Sequence, residues 1–178
     1  MGRGYMYPRL FRLHVGCFGL SDSNTDYRGG NTYMKKLIST KGMERSEWLD
    51  YRKKGIGGSD AGAICGLNPY RTAIQVYLDK TSDGTEDIDN EAMRQGRDFE
   101  EYVAKRFTEV TGKKVRRAHA MFYHEKYPFM LADVDRLVVG ESAGLECKTA
   151  SPYMAEHWAD GKIPLSYQIQ CYHYIATL

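Results

Sequence analysis

The clearest amphipathic pattern in the chain lies over residues 91–111, where apolar positions recur every three or four residues. Four of them form one stripe: Phe99, Val103, Phe107 and Val110. This spacing matches the period of an α-helix, and Gly112 stands where a glycine commonly ends one. The pattern therefore predicts a long helix over 91–111 whose apolar stripe packs against the core.

Shorter helices are predicted where brief apolar patterns are bounded by glycine, proline and capping residues. Their predicted ranges are 44–53, 60–65, 72–79, 152–160 and 164–178. Ser59 and Ser151 precede two of these helices at the position of an N-cap. Gly66 and Gly161 follow the same two helices at the position where a helix ends.

Three strand-like segments lie between the long helix and the C-terminal helices. They cover 115–123, 130–139 and 144–149. The link at 140–143 is short enough to join the last two segments as an antiparallel hairpin. Residues 1–42 show no clear period and are rich in glycine and small polar residues. This predicts a loosely ordered N-terminal extension before a single domain over 43–178.

The composition is that of an ordinary globular protein. The 178 residues are 42% hydrophobic and 27% charged, with a net charge of +2. A nucleic-acid surface would therefore have to come from local basic clusters, which are also typical of solvated faces. The candidates are Lys35-Lys36, Lys53-Lys54 and the run Lys113, Lys114, Arg116, Arg117. No apolar stretch approaches the roughly 20 residues that cross a bilayer, which favours a cytoplasmic protein.

The four cysteines are far apart in the sequence. They are Cys17, Cys65, Cys147 and Cys171. No pair has the C-x-x-C spacing, so the sequence predicts neither a zinc site nor a disulfide framework. Free thiols in a reducing compartment are expected instead.

A charged face is predicted on the second strand of the hairpin. Alternate residues of a strand share a face, so Glu146 and Lys148 point the same way. On the preceding strand Asp133 and Asp135 share a face, and the hairpin would bring Asp135 close to that pair. Two carboxylates beside a lysine are suited to Mg²⁺, and the lysine could orient or activate the attacking water. The same residues could equally form a solvated strand face.

Two further features add candidate chemistry. Glu100 lies at the edge of the apolar stripe of the long helix, where an acid usually has a partner because an unpaired buried charge is costly. Arg52 precedes Ser59 by seven residues, across a glycine-rich turn. A guanidinium, a hydroxyl and free backbone amides there would suit a terminal phosphate. The plainer interpretations are a boundary glutamate and a capped helix with a surface arginine.

Five short stretches of the sequence occur in a characteristic order. They are Trp48-x3-Arg52 with Ile56-Gly57-Gly58-Ser59-Asp60-Ala61, then Gly66-Leu67-Asn68-Pro69-Tyr70, Gly96-Arg97-x2-Glu100, Ala132-x-Val134-Asp135 with Leu145-Glu146-Cys147-Lys148-Thr149, and Trp158-x2-Gly161-x2-Pro164-x2-Tyr167-x2-Gln170. Together they resemble the YqaJ-type viral recombinase family, relatives of the phage lambda exonuclease. The resemblance covers residues 44–178. It implies an α/β fold with a restriction-endonuclease-like PD-(D/E)XK core, in which helices flank a central mixed sheet.

The resemblance implies a role for each matching residue. The implied catalytic residues are Glu100, Asp135, Glu146, Lys148 and Gln170. The implied ligands of Mg²⁺, or of Mn²⁺, are Asp135, Glu146 and Glu100. Lys148 would be the catalytic lysine, and Gln170 would brace the site from the last helix. Arg52 and Ser59 would hold the 5′-phosphate of a DNA end.

The reaction that the resemblance implies is Mg²⁺-dependent hydrolysis of one strand of linear duplex DNA. It would proceed in the 5′-to-3′ direction from a duplex end and leave a 3′ overhang. Relatives form ring-shaped trimers and work with a single-strand annealing protein. A homotrimer and such a partner are therefore expected here as well.

Two departures from the family pattern leave other hypotheses open. Arg136 follows Asp135, where the family usually has glycine. The chain ends at residue 178 within a predicted helix, where relatives continue, so a truncated C-terminal part is expected. The alternatives are an endonuclease on the same core, or a catalytically inactive prophage fragment that binds only DNA or a partner. An iron–sulfur relative would need clustered cysteines near the C-terminus, which this sequence lacks.

Overall fold

A computed structural model describes residues 16–19, 35–84, 89–150 and 152–178, with the backbone alone for 16–19 and 152–155. Its helices are α1 (Arg45–Lys53), α2 (Gly58–Ile64), α3 (Ala73–Thr81), α4 (Glu91–Thr111) and α5 (Leu165–Thr177). Its strands are β1 (Gly16–Gly19), β2 (Lys35–Ser39), β3 (Val115–Arg116), β4 (Ala120–Tyr123), β5 (Leu131–Ala132), β6 (Arg136–Val138) and β7 (Ala143–Glu146). A 3₁₀ segment, Pro152–Gly161, precedes α5.

The strands form two small antiparallel sheets. The strand order is β1-β7-β6-β3 in the first sheet and β2-β4-β5 in the second. The hairpin predicted around 140–143 is present, since β6 pairs with β7 in a register that sets Arg136 opposite Leu145. The family resemblance implies one central mixed sheet. Among the described residues, parallel pairing occurs instead as one isolated bridge, between Ile56 and Met130.

The chain crosses from the second sheet to the first between β5 and β6. The sequence pattern predicts one strand over 130–139, but Leu131–Ala132 pairs with β4 and Arg136–Val138 pairs with β7. At the crossing, the carboxylate of Asp135 accepts a hydrogen bond from the backbone N–H of Cys147 at 2.6 Å. A side chain thus satisfies a backbone donor that a strand partner would otherwise pair. The predicted strand is split in two because its halves pair with different strands.

Each sheet packs against one long helix. The cluster between α4 and the first sheet contains Val103, Ala104, Phe107, Leu145 and Cys147. The cluster between α5 and the second sheet contains Ala120, Phe122, Ala132, Val134 and Tyr174. The bounds of α4 are those predicted, but Val110 of the predicted stripe is 73% exposed. It lies in the last turn of the helix, where the buried cluster has ended.

Helix α2 packs directly against α5 because two glycines leave room for the contact. A Cβ on Gly58 would lie 2.6 Å from the ring of Tyr174 and 2.9 Å from Cγ of Gln170. A Cβ on Gly62 would meet the backbone of Ser166 at 3.2 Å. The two glycines are one helical turn apart, so they face the same side of α2. This contact places the first turn of α2 beside Gln170.

The start of α2 differs from the prediction. The helix begins at Gly58 with Gly57 as its N-cap, so Ser59 lies inside the first turn and is not the cap. The cap is supplied from within the helix, since the carboxylate of Asp60 accepts a hydrogen bond from the N–H of Gly57 at 2.9 Å. An acid at the third helical position commonly bonds back to the N-cap N–H in this way. The other predicted cap, Ser151, lies outside the described residues.

Part of the predicted N-terminal extension belongs to the two sheets. β1 pairs with β7, and β2 pairs with β4. The strands have only four and five residues, which is too short for a clear alternating pattern in the sequence. Residues 1–15 and 20–34 lie outside the described residues. The boundary between an extension over 1–42 and a domain over 43–178 stays a prediction.

The cysteines whose side chains the structure describes are free thiols, as predicted. They are Cys65, Cys147 and Cys171. Cys17 lies in β1, of which only the backbone is described. In the described part of the chain, no helix combines the length and the apolar character needed to cross a membrane.

The close contact at Gly58 and the open space at Gly96 predict opposite effects for two glycine-to-alanine substitutions. Gly58→Ala forces a methyl group against Tyr174 and should lower the free energy of unfolding by about 1–3 kcal/mol. At Gly96, within α4, the nearest atom to an added methyl group lies at 3.9 Å. Gly96→Ala should therefore raise the free energy of unfolding by about 0.5–1 kcal/mol, because alanine favours a helix. Urea unfolding measures both. Equal stability of the Gly58→Ala variant and the parent protein would contradict the close contact.

Candidate active site

The carboxylate of Glu146, at the end of β7, is buried, with 4% of the residue exposed. Its Oε1 accepts hydrogen bonds from Nζ of Lys148 and from the amide of Gln170, each at 2.5 Å. The same amide also donates to the hydroxyl of Tyr174 at 3.1 Å, which fixes its orientation. The other oxygen, Oε2, is buried and has no hydrogen-bond partner among the described residues. Because such an atom is costly to bury, it marks a place where a cation could bind.

A second carboxylate, that of the partly buried Asp135, interacts electrostatically with Glu146. Burial raises the pKa of Glu146 to about 8; Lys148 opposes the shift, while Asp135 adds to it. Burial also raises the pKa of Asp135, against the opposing effects of Lys148 and of the Cys147 N–H. Two neighbouring carboxylates that are shielded from solvent repel each other when both are ionised. The pair therefore favours a bound proton or a bound cation.

Lys148 is held beside Glu146 by an aromatic stack. Its Nζ lies 5.5 Å from the ring centroid of Tyr167, and that ring stacks on Trp158 at 5.2 Å. Burial alone would lower the pKa of Lys148, but the charges of Glu146 and Asp135 outweigh burial and raise it. Its ammonium group is therefore protonated at neutral pH. In this state it provides a positive charge rather than a base.

Glu100 reaches the site from α4. Its side chain is 25% exposed, and its Oε2 lies 3.6 Å from Nη1 of Arg136. Arg136 is itself buried and donates to the carbonyl of Asp135 at 2.7 Å and to Glu101 at 3.0 Å. The arginine in the place of the family's usual glycine is thus neutralised by two glutamates of α4. Burial, with the charge of Asp135, raises the pKa of Glu100, and Arg136 opposes the shift.

Arg52 and Ser59 are in direct contact. Nη2 of Arg52 donates to Oγ of Ser59 at 2.7 Å, and the guanidinium lies 4.8 Å from the ring centroid of Trp48. Nε1 of Trp48 donates in turn to the carboxylate of Asp133 at 2.6 Å. A continuous series of contacts therefore connects the predicted phosphate-binding pair to the segment where the chain crosses between the sheets.

One cleft of about 560 Å³ contains both groups of residues. Its lining includes all but one of the predicted site residues: Arg52, Ser59, Glu100, Asp135, Glu146 and Gln170. Lys148 is outside this lining but contacts Glu146. The arginines in the lining are Arg45, Arg52, Arg97, Arg117 and Arg136. Of the predicted basic clusters, all of which the structure describes, only the last run reaches the lining, through Arg117.

The acidic group fits a divalent cation that is bound partly by other ligands. Within the described residues, no three Asp, Glu, His or Cys side chains are grouped closely enough to hold a metal ion by themselves. Mg²⁺ is commonly bound by only one or two carboxylates, together with water and substrate phosphate. The Oε2 atom of Glu146 and the carboxylate of Asp135 are the oxygens best placed for this role, with Glu100 at the same cleft.

For several residues of the site, the sequence predicted no role. The contact of Trp48 with Arg52 could have been predicted, because Trp48 precedes Arg52 by one helical turn and so lies on the same face. Asp60 lies between small residues in a segment that packs closely, which is a sign of burial. The contact of Arg136 with the glutamates of α4 has no local signal, since 35 residues separate it from Glu101.

The raised pKa of Glu146 predicts the pH dependence of stability in metal-free protein. Between about pH 5 and pH 8 the folded state retains a proton that the unfolded state, with an ordinary glutamate pKa of 4.5, has released. The free energy of unfolding should therefore fall as the pH rises through this window. Glu146→Gln cannot release a proton, so its stability should depend less on pH. Urea unfolding in a chelator measures both proteins, and parallel pH profiles would contradict the assignment.

Known proteins are similar to this chain in sequence and in fold. Residues 47–177 match the family model described as the YqaJ-like viral recombinase domain. The chain is 48% identical over 143 residues to "Uncharacterized protein YqaJ" of Bacillus subtilis (strain 168), a match that covers 80% of this chain and 45% of the relative. This chain therefore spans about half the length of that relative.

A solved structure, LHK-Exo in complex with dAMP, is similar to this fold. The TM-score is 0.57 at 21% sequence identity, and the match covers 73% of this chain and 67% of LHK-Exo. At this identity the likeness concerns the fold, and it confirms the predicted α/β class with a lambda-exonuclease-like nuclease fold. By the match of its sequence over 47–177, the chain belongs to the YqaJ-like viral recombinase family.

Proposed function

We propose that this domain is a metal-dependent deoxyribonuclease that degrades the 5′ strand of linear duplex DNA during homologous recombination. The observation that carries the proposal is that one cleft contains two chemically different groups. Arg52 and Ser59 offer a guanidinium and a hydroxyl, which suit a terminal phosphate. Asp135 and Glu146 offer carboxylates, and Lys148, in contact with Glu146, adds an ammonium. Together these groups suit hydrolysis of a neighbouring phosphodiester.

The carboxylates of the cleft favour an enzyme over a domain that only binds DNA. A binding domain needs the arginines around the cleft, whereas carboxylates there repel the DNA phosphates and each other. A bound Mg²⁺ would supply a Lewis acid that neutralises charge on the phosphate and lowers the pKa of a bound water. The residues Asp135 and Glu146 would hold it, with Glu100 beside them. Lys148, protonated at Nζ, would stabilise the negative charge that develops on the phosphate.

The position of Arg52 and Ser59 supports action at DNA ends. Ser59 is exposed and the Arg52 side chain is 26% exposed, so a ligand in the cleft can reach both. A terminal phosphate offers more free oxygens and charge than an internal phosphodiester, and a guanidinium–hydroxyl pair favours it for this reason. LHK-Exo was solved with dAMP, the kind of mononucleotide that hydrolysis of a DNA strand releases.

The proposal includes the assembly in which the domain works. A homotrimer around the duplex and a single-strand annealing partner are expected from the family. The trimer would help a chain of modest net charge to hold DNA, since encirclement does not depend on charge alone. The activity, substrates and partners of the longer relatives are likewise part of the proposal, because this chain covers 45% of the curated relative.

The proposed activity predicts a metal-dependent release of nucleotides that requires Lys148. With linear duplex DNA labelled at its 5′-phosphorylated ends, the protein should release label in Mg²⁺ and not in EDTA. Lys148→Ala should lower the rate by about 100-fold or more, because it removes the charge beside the reacting phosphate. Lys105→Ala, at an exposed position of α4 outside the cleft lining, should retain the parent rate. Equal loss in both variants, or no release by the parent protein, would contradict the assignment.

The phosphate-binding pair predicts a preference among DNA substrates. Linear duplexes with 5′-phosphate ends should be degraded about tenfold faster than those with 5′-hydroxyl ends, and Arg52→Met should remove most of this preference. Closed circular duplex DNA should remain intact. Gel electrophoresis distinguishes the substrates. Cutting of the closed circle would show that the same core acts as an endonuclease.

A further inference from the structure

A second fully buried carboxylate lies outside the group around Glu146. Asp60, in the first turn of α2, is 0% exposed and is surrounded by three cations. Its Oδ1 lies 2.8 Å from Nη1 of Arg71 and 3.9 Å from Nη2 of Arg52. Its Oδ2 lies 2.8 Å from Nζ of Lys80, on α3. The carboxylate therefore joins side chains from α1, α3 and the loop between α2 and α3.

Lys80 connects Asp60 to the backbone of Arg52. Besides its contact with Asp60, Nζ of Lys80 donates to the carbonyl oxygen of Arg52 at 2.7 Å. The side chain of Lys80 is only 14% exposed, so it acts inside the packed region between α1 and α3. Asp60 thus constrains Arg52 at both ends. It reaches the backbone through Lys80 and attracts the guanidinium directly.

Asp60 also fixes the position of Ser59. The N–H of Gly57 donates to Oδ2 of Asp60 at 2.9 Å, which closes the turn that leads into α2. Ser59 follows this turn directly and accepts the hydrogen bond of Arg52. The charges of Arg52 and Lys80 outweigh burial and lower the pKa of Asp60, so the carboxylate is ionised at neutral pH.

We propose that Asp60, acting through Lys80 and the Gly57 turn, is a positioning residue that determines the preference of the cleft for 5′-phosphorylated DNA ends. The inference rests on the proposed function of Arg52 and Ser59. If Asp60 only joined the helices, its loss would weaken the binding of all DNA ends alike. If it positions Arg52 and Ser59, its loss weakens the binding of phosphorylated ends selectively.

The test measures binding separately from catalysis. A fluorescent blunt duplex with either 5′-phosphate or 5′-hydroxyl ends is titrated with the full chain in EDTA, and anisotropy gives the two dissociation constants. Their ratio is the end preference. The parent protein should favour the phosphorylated end by about tenfold. Asp60→Asn and Lys80→Met should bring the ratio close to one, and Lys80→Arg, which keeps a donor and the charge, should restore part of it.

Lys53→Met is the matched control. Lys53 also joins the end of α1 to the end of α3, since its Nζ donates to the carbonyl of Ser82 at 2.9 Å and to that of Gly84. It contacts neither Asp60 nor Ser59 through any of these bonds. The control variant should therefore keep the end preference of the parent protein, even if both dissociation constants change together.

The outcomes separate the two proposals. An end preference that Arg52→Met removes but Asp60→Asn and Lys80→Met retain would overturn the role of Asp60 and leave the phosphate-binding pair in place. No end preference in the parent protein would overturn both. Thermal unfolding shows whether each variant folds. If Asp60→Asn does not fold, Lys80→Met decides, because it leaves Asp60 paired with Arg71.

Discussion

Burial of the Glu146 carboxylate between the first sheet and α5 constrains much of the structure around it. A buried carboxylate needs donors or a cation, because its desolvation is otherwise uncompensated. Lys148 lies two residues further along the chain on the same side, and Gln170 provides an amide from α5. Tyr167 and Trp158 then hold the ammonium of Lys148. One oxygen of Glu146 is satisfied in this way, and the other is left for a ligand.

The two buried acids Asp60 and Glu146 illustrate how the same side-chain chemistry can serve different purposes. Asp60 has three cations within 4 Å, and its pKa is lowered. Glu146 has one lysine and a neighbouring carboxylate, and its pKa is raised to about 8. The three cations balance the charge of Asp60, and this acid holds the neighbouring side chains in place. Glu146 has less positive charge around it and is therefore suited to bind a cation.

Close packing of α2 on α5 brings Ser59, next to Asp60 in α2, to the same cleft as Glu146. The absence of side chains at Gly58 and Gly62 lets the helices approach until Gly58 touches Tyr174 and Gln170. Ser59, beside Gly58, is thereby near the glutamine that orients Glu146. A larger residue at Gly58 would separate the phosphate-binding pair from the carboxylates. The geometry of the proposed reaction thus depends on two positions that carry no chemistry themselves.

The sequence by itself determined the features that rest on local periodicity. The stripe of α4 predicted the bounds of that helix, and the short link at 140–143 predicted the hairpin. Strand alternation placed Glu146 and Lys148 on one side, and the order of the motifs identified the family. These predictions succeeded because hydrogen bonds and facing side chains within one element involve residues only a few positions apart.

Only the tertiary structure decided the features that join distant residues. The predicted strand is split because its halves pair with β4 in one sheet and with β7 in the other. The partner of Glu100 is Arg136, and α1, α2 and α3 meet at the cations around Asp60. Periodicity carries no information about such contacts, because they arise when separate elements pack and their buried charges find partners. The cleft that unites Arg52 with Glu146 is the result of that packing.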